Sequence, residues 1–434
     1  MSDQEVEWFV QIWDKPGTLQ TRFQHGAQHM AYHQPNRETG RLVFSGPTLK
    51  SHPTTPGSPM EVTGSVLVFR LAGGEQEVRN ILQDDPLGKA GVWDLDGATG
   101  YAKDQPAGFE NRIERVAIVG AGGQVGKHIV QELLKTGKHT VTAISRIGSK
   151  SPLPEGIKVA TVDYDDEQTL VDALKGQQFL FISVALVAPQ DTQDKLIRAA
   201  GKAGVPWIMP NGYGTDLLNE KLAEENFTGK STWAGPKAVE ATGVSSWVIM
   251  CCQFWYEYSL STADWAWGFD LNNKKVNFYD DGKTRINTST WQQCGRAAAA
   301  LVSLKVLPED ENDKSVTLSQ WRNKPLYIAS FLVSQREMLD SVERATGTTD
   351  KDWEISYEPS RDRYERGKKA MFGGDKDGFK IQLYARTHYP NGDGVIQEKL
   401  ANDALGLPKE DFDEATRRGV ELWKSGYNAF ARQQ

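Results

Sequence analysis

The residues with the most recognisable chemistry in this sequence are glycines that separate an apolar strand from a helix. Gly120, Gly123 and Gly126 are spaced by three between the runs VAIVG and KHIVQELLKTG, and Gly122 adds a G-x-G pattern. Such glycines allow a tight turn, let backbone approach a pyrophosphate and let the helix pack on the strand. Free N–H groups at the helix start then bind the phosphates. The pattern predicts a dinucleotide site formed by Gly120, Gly122, Gly123, Gln124, Val125 and Gly126.

The end of the next strand indicates which dinucleotide is bound. Enzymes that use NAD usually have Asp or Glu there to bind the ribose hydroxyls, whereas this sequence has Ser145 and Arg146. A guanidinium can donate two parallel hydrogen bonds to a 2′-phosphate, so NADPH (NADP) is the predicted cofactor. The alternative is that Arg146 is only a solvated surface residue. The ends of later strands add positional predictions for the cofactor: Asp163, Tyr164, Ser183, Val184 and Asn211.

The catalytic residues are less well specified. A typical short-chain dehydrogenase has Y-x-x-x-K soon after its fourth strand, and this sequence has no such motif between its fourth strand and residue 278. Lys230 follows the fifth strand and could donate a proton if burial lowered its pKa, or it could be an ordinary surface lysine. Tyr213, Phe254 and Trp255 are predicted to line an apolar substrate pocket. They could equally be core or interface aromatics.

Three histidines are spaced by four residues near the N-terminus, on one face of a predicted helix. His25, His29 and His33 could suggest a metal site, but no cysteine or fourth ligand lies nearby. We therefore predict no metal, with one pocket histidine and two exposed ones.

Two patterns of elements position these residues. The first hundred residues are predicted to alternate β-α-β-β-α-β, which is typical of a small ferredoxin-like α+β module. From Arg115 onward strand and helix alternate, which indicates an α/β Rossmann-type, doubly wound parallel sheet. The predicted domains are 1–108 and 113–434, separated by a linker at 104–112, with the substrate-binding part at about 211–434. DDG at 280–282 predicts a hairpin turn, and helices are predicted to cap the substrate side after residue 353.

Composition limits the classes of function. The chain has 434 residues, 39% of them hydrophobic, and a net charge of −7, so no basic surface suggests a nucleic-acid partner. No apolar run is long enough to cross a bilayer, and the N-terminus does not resemble a signal peptide. The three cysteines, Cys251, Cys252 and Cys294, form no spaced framework, which favours reduced thiols and a cytoplasmic protein.

From Val116 to its end the chain resembles the NmrA-like and isoflavone-reductase-like group of atypical short-chain dehydrogenases. The segments VGAGGQVGKHIV, ISR and GVSSWVIMCCQFWYEYS carry this resemblance, and WGFDLNNKKVNFYDDGKTRINTSTWQQCGRAAAALVSL and LGLPKEDFDE resemble fungal CipA-type proteins. The resemblance implies NADP binding and reduction of a small aromatic or polyketide-like metabolite. It also allows an NADP(H)-sensing regulator or scaffold without turnover.

The same resemblance bears on the catalytic lysine. In isoflavone reductases a lysine precedes a helix that ends in E-x-x-G, and Glu240 and Gly243 match this ending. Lys230 matches the lysine only with a small gap in the alignment. Lys237 is the alternative.

The first hundred residues resemble the YciI-like (YCII-related) family in the segments QHMAY, GRLVFSGP and DDPLGKAGVW. That resemblance implies that His29 and Asp85 face a shared pocket as an acid–base pair, which would suit a lyase or isomerase. It also implies a homodimer formed through this module. An NADPH-dependent oxidoreductase remains the favoured prediction for the whole chain.

Overall fold

The computed structural model describes residues 6–50, 61–71, 74–95, 99–102, 111–149, 151–184, 188–189, 191–309 and 313–427, without the side chains of 6, 7, 74, 75, 99–102 and 230. The predicted loop at 51–60 and most of the predicted linker lie outside these residues. The chain divides into two compact units, Met1–Glu110 and Asn111–Gln434. No helix among the described residues is long and apolar enough to cross a membrane.

The first unit is a four-stranded antiparallel sheet with helices, and its sheet order is β2-β3-β1-β4. The ferredoxin-like α+β prediction is confirmed, and Pro86 starts a further short helix as its first residue. The elements are β1 Val6–Trp13, α1 Leu19–Glu38, β2 Leu42–Leu49, β3 Val62–Leu71, α2 Gly74–Asp84, α3 Pro86–Lys89 and β4 Thr99–Ala102.

Strand alternation builds the core of this unit. Val10 and Ile12 of β1 are buried with Leu67 and Phe69 of β3, because side chains at every second position point to the same face of a sheet. Phe9, between Trp8 and Val10, points the other way and is largely exposed. One face of the sheet therefore carries the core.

The second unit is built on a seven-stranded parallel sheet of order β15-β10-β9-β8-β5-β6-β7, which confirms the Rossmann-type prediction. Its strands, apart from the edge strand Lys158–Val162, are buried along most of their length because helices cover both faces of such sheets. The elements of this sheet and its crossovers are β5 Arg115–Val119, α4 Gly126–Thr136, β6 Thr140–Arg146, β7 Lys158–Val162, α5 Glu167–Leu174, β8 Phe179–Ile182, α6 Thr192–Lys202, β9 Trp207–Met209, α7 Glu220–Glu225, α8 Gly229–Ala241, β10 Ser246–Cys251 and β15 Lys324–Tyr327.

Two three-stranded sheets, β11-β14-β16 and β12-β13-β17, and several helices complete the second unit. The predicted hairpin at DDG is wrong, since β13 and β14 pair into different sheets and the turn between them only redirects the chain. The elements are β11 Phe254–Trp255, α9 Tyr256–Ser261, β12 Phe269–Asp270, β13 Lys275–Tyr279, β14 Arg285–Ser289, α10 Trp291–Val302, β16 Phe331–Ser334, α11 Gln335–Thr346, β17 Glu354–Glu358, α12 Ser360–Phe372, α13 Lys376–Thr387 and α14 Phe412–Lys424, with short 3₁₀ helices at Leu318–Trp321, Asp350–Asp352 and Gln397–Lys399.

Candidate functional site

The glycine turn between β5 and α4 has no room for side chains at its two ends. Gly120 has φ of 80°, and a Cβ there would lie 1.9 Å from the carbonyl oxygen of Ser183. A Cβ on Gly126 would lie 2.0 Å from the carbonyl oxygen of Gly120, so the start of α4 packs directly on the turn. At Gly122 the close neighbour is the carbonyl oxygen of Pro152, at 2.3 Å. The turn is therefore held in one shape by backbone packing alone.

A cleft of about 1630 Å³ opens at the carboxyl ends of the parallel strands, beside this turn. This is the edge at which open α/β sheets bind ligands. Gly126 and Asp163 do not line the cleft: Gly126 packs beneath the turn, and the Asp163 carboxylate accepts a hydrogen bond from the Asp165 N–H. The predicted cofactor residues that do line it are Gly120, Gly122, Gly123, Gln124, Val125, Ser145, Arg146, Tyr164, Ser183, Val184 and Asn211.

The corner of the cleft at the end of β6 carries a cation. Arg146 is exposed there, next to a turn in which the Ser149 N–H donates to the Arg146 carbonyl oxygen. Tyr164 at the end of the next strand is half-buried. Both residues line the cleft; burial raises the pKa of Tyr164, and the positive charge of Arg146 opposes that rise. A planar, charged donor is thus available at the position where a ribose 2′-phosphate would lie.

Aromatic rings form much of the lining of the cleft. Phe254 and Tyr384 stack with ring centroids 3.9 Å apart, and Trp265 meets Tyr384 edge-on at 5.6 Å. Burial raises the pKa of Tyr258, in the same lining, to about 12, so this phenol is neutral at physiological pH. The aromatic residues of this lining are Tyr213, Phe254, Trp255, Tyr258, Trp265, Tyr384 and Tyr427.

The predicted substrate residues Tyr213, Phe254 and Trp255 all line the cleft, but Tyr213 does so only with part of its ring. Its hydroxyl is buried and has no hydrogen-bond partner among the described residues. Burial raises the pKa of Tyr213 well above its ordinary value, with Cys252 and Cys294 as neighbours. Tyr213 therefore offers an apolar surface to the cleft and no accessible hydroxyl.

The two candidate lysines differ in their positions on α8. Lys230 lies in the first turn of this helix, and its side chain is outside the described part of the structure. Its neighbours Ser231 and Thr232 line the cleft. Lys237 is exposed on the same helix and does not line the cleft.

The E-x-x-G ending of α8 has a structural explanation. The Glu240 carboxylate accepts a 2.8 Å hydrogen bond from the indole N–H of Trp247. Gly243 adopts a left-handed φ of 71° just beyond the helix. These two matches to the family pattern concern the helix end rather than the cleft.

Sequence reasoning missed a lysine that does line the cleft. Lys380 of α13 donates a 2.6 Å hydrogen bond to Asp377, and its ammonium lies 4.7 Å from the ring centroid of Trp265. Tyr384 lies one turn further along the same helix. Both come from a segment far from the glycine turn, so spacing along the sequence offered no signal for them.

The first unit contains a second polar cluster. The imidazole Nδ1 of His29 and the carboxylate Oδ2 of Asp85 are 2.8 Å apart, so the predicted pair does meet. His33 Nε2 lies 2.8 Å from the same oxygen, in an ion-pair contact without hydrogen-bond geometry. Of the two histidines predicted to be exposed, His25 is only partly exposed, and His33 is fully buried because this face of α1 packs against the core.

Asp85 is held in place from both sides. It is the N-cap of α3, and its Oδ1 accepts a 2.8 Å hydrogen bond from the Leu87 N–H. Burial alone would raise the pKa of Asp85, but its contacts with His29 and His33 and the Leu87 N–H hold that pKa below the usual range. The carboxylate therefore remains charged although it is buried.

Two family profiles match the chain, one in each unit. The YCII-related domain matches residues 6–96, and the NmrA-like family matches residues 113–260. The chain is 28% identical over 306 residues to "Oxidoreductase aprR" of Aspergillus flavus. This alignment covers 69% of this chain and 96% of that protein. It is 38% identical over 94 residues to "Xenovulene A biosynthesis cluster protein asL2" of Sarocladium schorii, covering 21% of this chain and 81% of that protein.

Solved structures share the fold of the second unit. A crystal structure of isoflavone reductase aligns with a TM-score of 0.54 and 21% identity, covering 71% of this chain and 99% of that one. An NADPH complex of a quinone oxidoreductase from Escherichia coli aligns with a TM-score of 0.51 and 20% identity. This alignment covers 69% of this chain and 98% of that one. The chain therefore carries a YCII-related domain at residues 6–96 and an NmrA-like domain at residues 113–260, and its second unit has the fold of the isoflavone-reductase-like enzymes.

Proposed function

We propose that this protein is an NADPH-dependent oxidoreductase that reduces a small aromatic or polyketide-like metabolite in the cleft of the second unit. The observation that carries the proposal is the glycine turn, where a Cβ on Gly120 would meet the Ser183 carbonyl oxygen at 1.9 Å. Backbone N–H groups of this turn and of the start of α4 bind the pyrophosphate. NADPH supplies a hydride when it is bound there.

Arg146 selects the phosphorylated cofactor. Its guanidinium is exposed at the corner of the cleft, and the sequence has no carboxylate at the end of β6 that would prefer unmodified ribose hydroxyls. Hydrogen bonds to charged groups contribute about 1.5–3 kcal/mol each. We expect calorimetric titration of Arg146→Ala with NADPH to show affinity about 10- to 100-fold below wild type, with NADH affinity unchanged.

A matched control is Arg115→Ala. Arg115 is also exposed, but it lies at the start of β5, the opposite edge of the sheet, and donates to the Gly176 carbonyl oxygen. This variant should bind NADPH like wild type. Equal losses in the two variants, or equal affinity of wild type for NADH and NADPH, would contradict the role of Arg146.

The substrate class is inferred from the aromatic lining. Phe254, Trp265 and Tyr384 pack against one another and line the cleft, and an apolar aromatic lining suits a planar ligand. The transferred hydride would reduce a carbonyl or a conjugated alkene, and a proton must then reach the product. We propose Lys230 as its donor because the first turn of α8 borders the cleft.

The lysine assignment can be tested once a screen of carbonyl and enone compounds identifies a substrate. Lys230→Ala should lower kcat by about 100-fold or more while NADPH affinity is retained, since general acid catalysis typically contributes that much. Lys237→Ala is the matched control on the same helix and should leave kcat unchanged. A loss of kcat in Lys237→Ala alone would transfer the role to Lys237.

An NADP(H)-sensing regulator without turnover is the competing function for the same cleft. It predicts selective NADPH binding with no oxidation of NADPH by any compound of the screen. Turnover lost in Lys230→Ala with intact cofactor affinity would exclude it.

The 2.8 Å contact between His29 and Asp85 favours a second candidate function, a lyase or isomerase centred on the first unit. A carboxylate beside an imidazole orients it and suits it to acid–base work. This candidate predicts substrate conversion without NADPH that His29→Gln abolishes and Arg146→Ala leaves intact. Conversion that requires NADPH in every case would contradict it.

We also propose that the protein is a cytoplasmic homodimer joined through the first unit. The three cysteines are free buried thiols, which suits a reducing compartment. On the sheet face away from the core, Phe9, Trp13 and Phe44 are 40–57% exposed. Light scattering should give twice the chain mass, and Phe44→Ser should shift it toward the monomer; a wild-type monomer would refute the dimer. Fluorescence microscopy of a tagged chain tests the location.

A further inference from the structure

The cluster in the first unit holds three side chains with metal-binding atoms rather than two. His29 Nδ1, His33 Nε2 and a carboxylate oxygen of Asp85 all lie within 4.8 Å of one another. His29 and His33 are one helical turn apart on α1, so both rings leave the same face of the helix. Asp85 reaches them from the start of α3. Helix α1 and the start of α3, which are distant in sequence, thus bring three possible metal-ligand atoms close together.

His33 is poorly explained as an ordinary core residue. Its side chain is 0% exposed, its Nδ1 has no hydrogen-bond partner among the described residues, and its Nε2 has only the 2.8 Å ion-pair contact with Asp85 there. A buried polar atom without a hydrogen-bond partner is unfavourable for folding. Its Nε2 nevertheless points at the carboxylate oxygen that His29 also contacts. A ligand shared by the three groups would satisfy this nitrogen.

Asp85 is prepared to act as a monodentate ligand. The Leu87 N–H occupies Oδ1, which leaves Oδ2 facing the two histidines. This outer hydrogen bond fixes the carboxylate, as partners around metal ligands commonly do. Aromatic rings surround the cluster: Trp93 meets His29 edge-on at 5.5 Å, and Tyr32 meets His33 at 5.0 Å.

We propose that His29, His33 and Asp85 bind one divalent first-row metal ion of the zinc class. Two imidazoles and one carboxylate form a three-ligand set that leaves coordination positions open, as in catalytic zinc sites and non-haem iron sites. The open side is at His29, whose side chain is 12% exposed while the other two are 0% exposed. Water or an oxygen atom of a small molecule completes the coordination there.

The distances suit this ion after a small movement. Metal–ligand bonds of roughly 2.0–2.2 Å place tetrahedral donor atoms about 3.4 Å apart. Each ring nitrogen is now 2.8 Å from Asp85 Oδ2. The donors therefore move apart by a little over half an ångström when the ion enters. The proposal is independent of the cofactor cleft in the second unit.

Asp85→Asn is the decisive variant because it keeps the helix cap and removes the charge. The Asn carbonyl oxygen can still accept from the Leu87 N–H, and Asn is a good N-cap residue. His25→Ala is the matched control, since His25 lies one turn before His29 on the same helix, is partly exposed and contacts Gln28. His29→Ala is a second test at a partly exposed position, and circular dichroism checks that each full-length variant is folded.

The experiment titrates chelator-treated, full-length protein with Zn²⁺ by calorimetry and with Co²⁺ by absorption spectroscopy. We expect one equivalent to bind wild type and His25→Ala alike, and affinity at least about 100-fold lower in Asp85→Asn and His29→Ala, because even outer-shell losses cost 10- to 100-fold. Bound Co²⁺ should show visible d–d bands without a thiolate charge-transfer band.

Three results would overturn the proposal: no binding to wild type, equal affinity in Asp85→Asn and wild type, or a thiolate band that assigns the ion to the cysteines. NADPH affinity, measured on the same variants, reports the cleft of the second unit separately. It should not change in any of them. The metal titration can therefore contradict the metal site without contradicting the proposed function, and the NADPH titration can contradict the proposed function without contradicting the metal site.

Discussion

The cleft of the second unit is shaped by backbone, whereas the cluster of the first unit is shaped by side chains. At Gly120 the important feature is the lack of a Cβ, which would otherwise lie 1.9 Å from a carbonyl oxygen. His29, His33 and Asp85 instead contribute three polar side chains to one point. The backbone site should therefore fail when a single methyl group is added. The cluster of His29, His33 and Asp85 should keep its shape but lose its charge when one carboxylate oxygen is replaced by an amide nitrogen, as in Asp85→Asn.

The largest effect should follow from Gly120→Ala. The added methyl group would displace the Ser183 carbonyl and strain a residue at φ of 80°, so the turn cannot keep the shape that binds phosphate. We expect NADPH affinity to fall by more than about 100-fold, equivalent to about 2.7 kcal/mol. Calorimetric titration measures this directly.

Gly137→Ala separates the steric effect from backbone strain. Gly137 ends α4 at φ of 65°, and a Cβ there meets nothing within 4 Å. This variant should cost about 1 kcal/mol of stability and leave NADPH affinity unchanged. Similar losses of NADPH affinity in Gly120→Ala and Gly137→Ala would contradict the interpretation that close backbone packing at Gly120 shapes the cleft.

Buried carboxylates extend the comparison to pH. Asp85 in the first unit has contacts at both oxygens, and its pKa is lowered. Glu257 in the second unit is also buried, but only its Oε1 accepts hydrogen bonds, from Arg418, while Oε2 has no hydrogen-bond partner among the described residues. Burial raises the pKa of Glu257 to about 7 despite Arg418. Burial raises the pKa of both carboxyls; the contacts of Asp85 outweigh this effect, and those of Glu257 do not.

The two carboxylates should give opposite pH dependence. A lowered pKa means that Asp85 stabilises the fold above pH 3.8, and this contribution is lost as pH falls below that value. A pKa raised from 4.5 to about 7 means that Glu257 costs stability as pH rises through this range, by up to roughly 3 kcal/mol. Asp85→Asn should therefore destabilise the first unit at neutral pH. Glu257→Gln should stabilise the second unit at pH 8.

Hydrogen exchange followed by mass spectrometry can check both predictions, because peptides from β1 and α9 report the two units separately. Each variant is compared with wild type at the same pH. The differences should vanish at acid pH, below 3.8 for Asp85 and below 4.5 for Glu257. Differences of the same sign at pH 8 would contradict the assignment.

The parts of the site that the sequence predicts are those encoded locally. The glycine turn lies between β5 and α4, and Arg146 ends β6. All three elements fall within the 32 residues 115–146, so the local pattern specifies which residues are neighbours. Lys380 and Tyr384 reach the cleft through the packing of α13, which no local pattern encodes. His33 was predicted to be exposed because helical spacing alone cannot tell which face of α1 meets the sheet.

The smallest effect concerns the end of α8, where Glu240 and Gly243 match the E-x-x-G ending of isoflavone reductases. Glu240 accepts a hydrogen bond from the indole N–H of Trp247, a buried ring at the start of β10. Glu240→Ala leaves this donor unpaired and should cost about 1–2 kcal/mol of unfolding free energy. Glu240→Gln keeps an acceptor and should be nearly neutral, and neither variant should change NADPH affinity or kcat. A fall in kcat in Glu240→Gln would show instead that the end of α8 acts on the cleft, and would join the two regions that the structure separates.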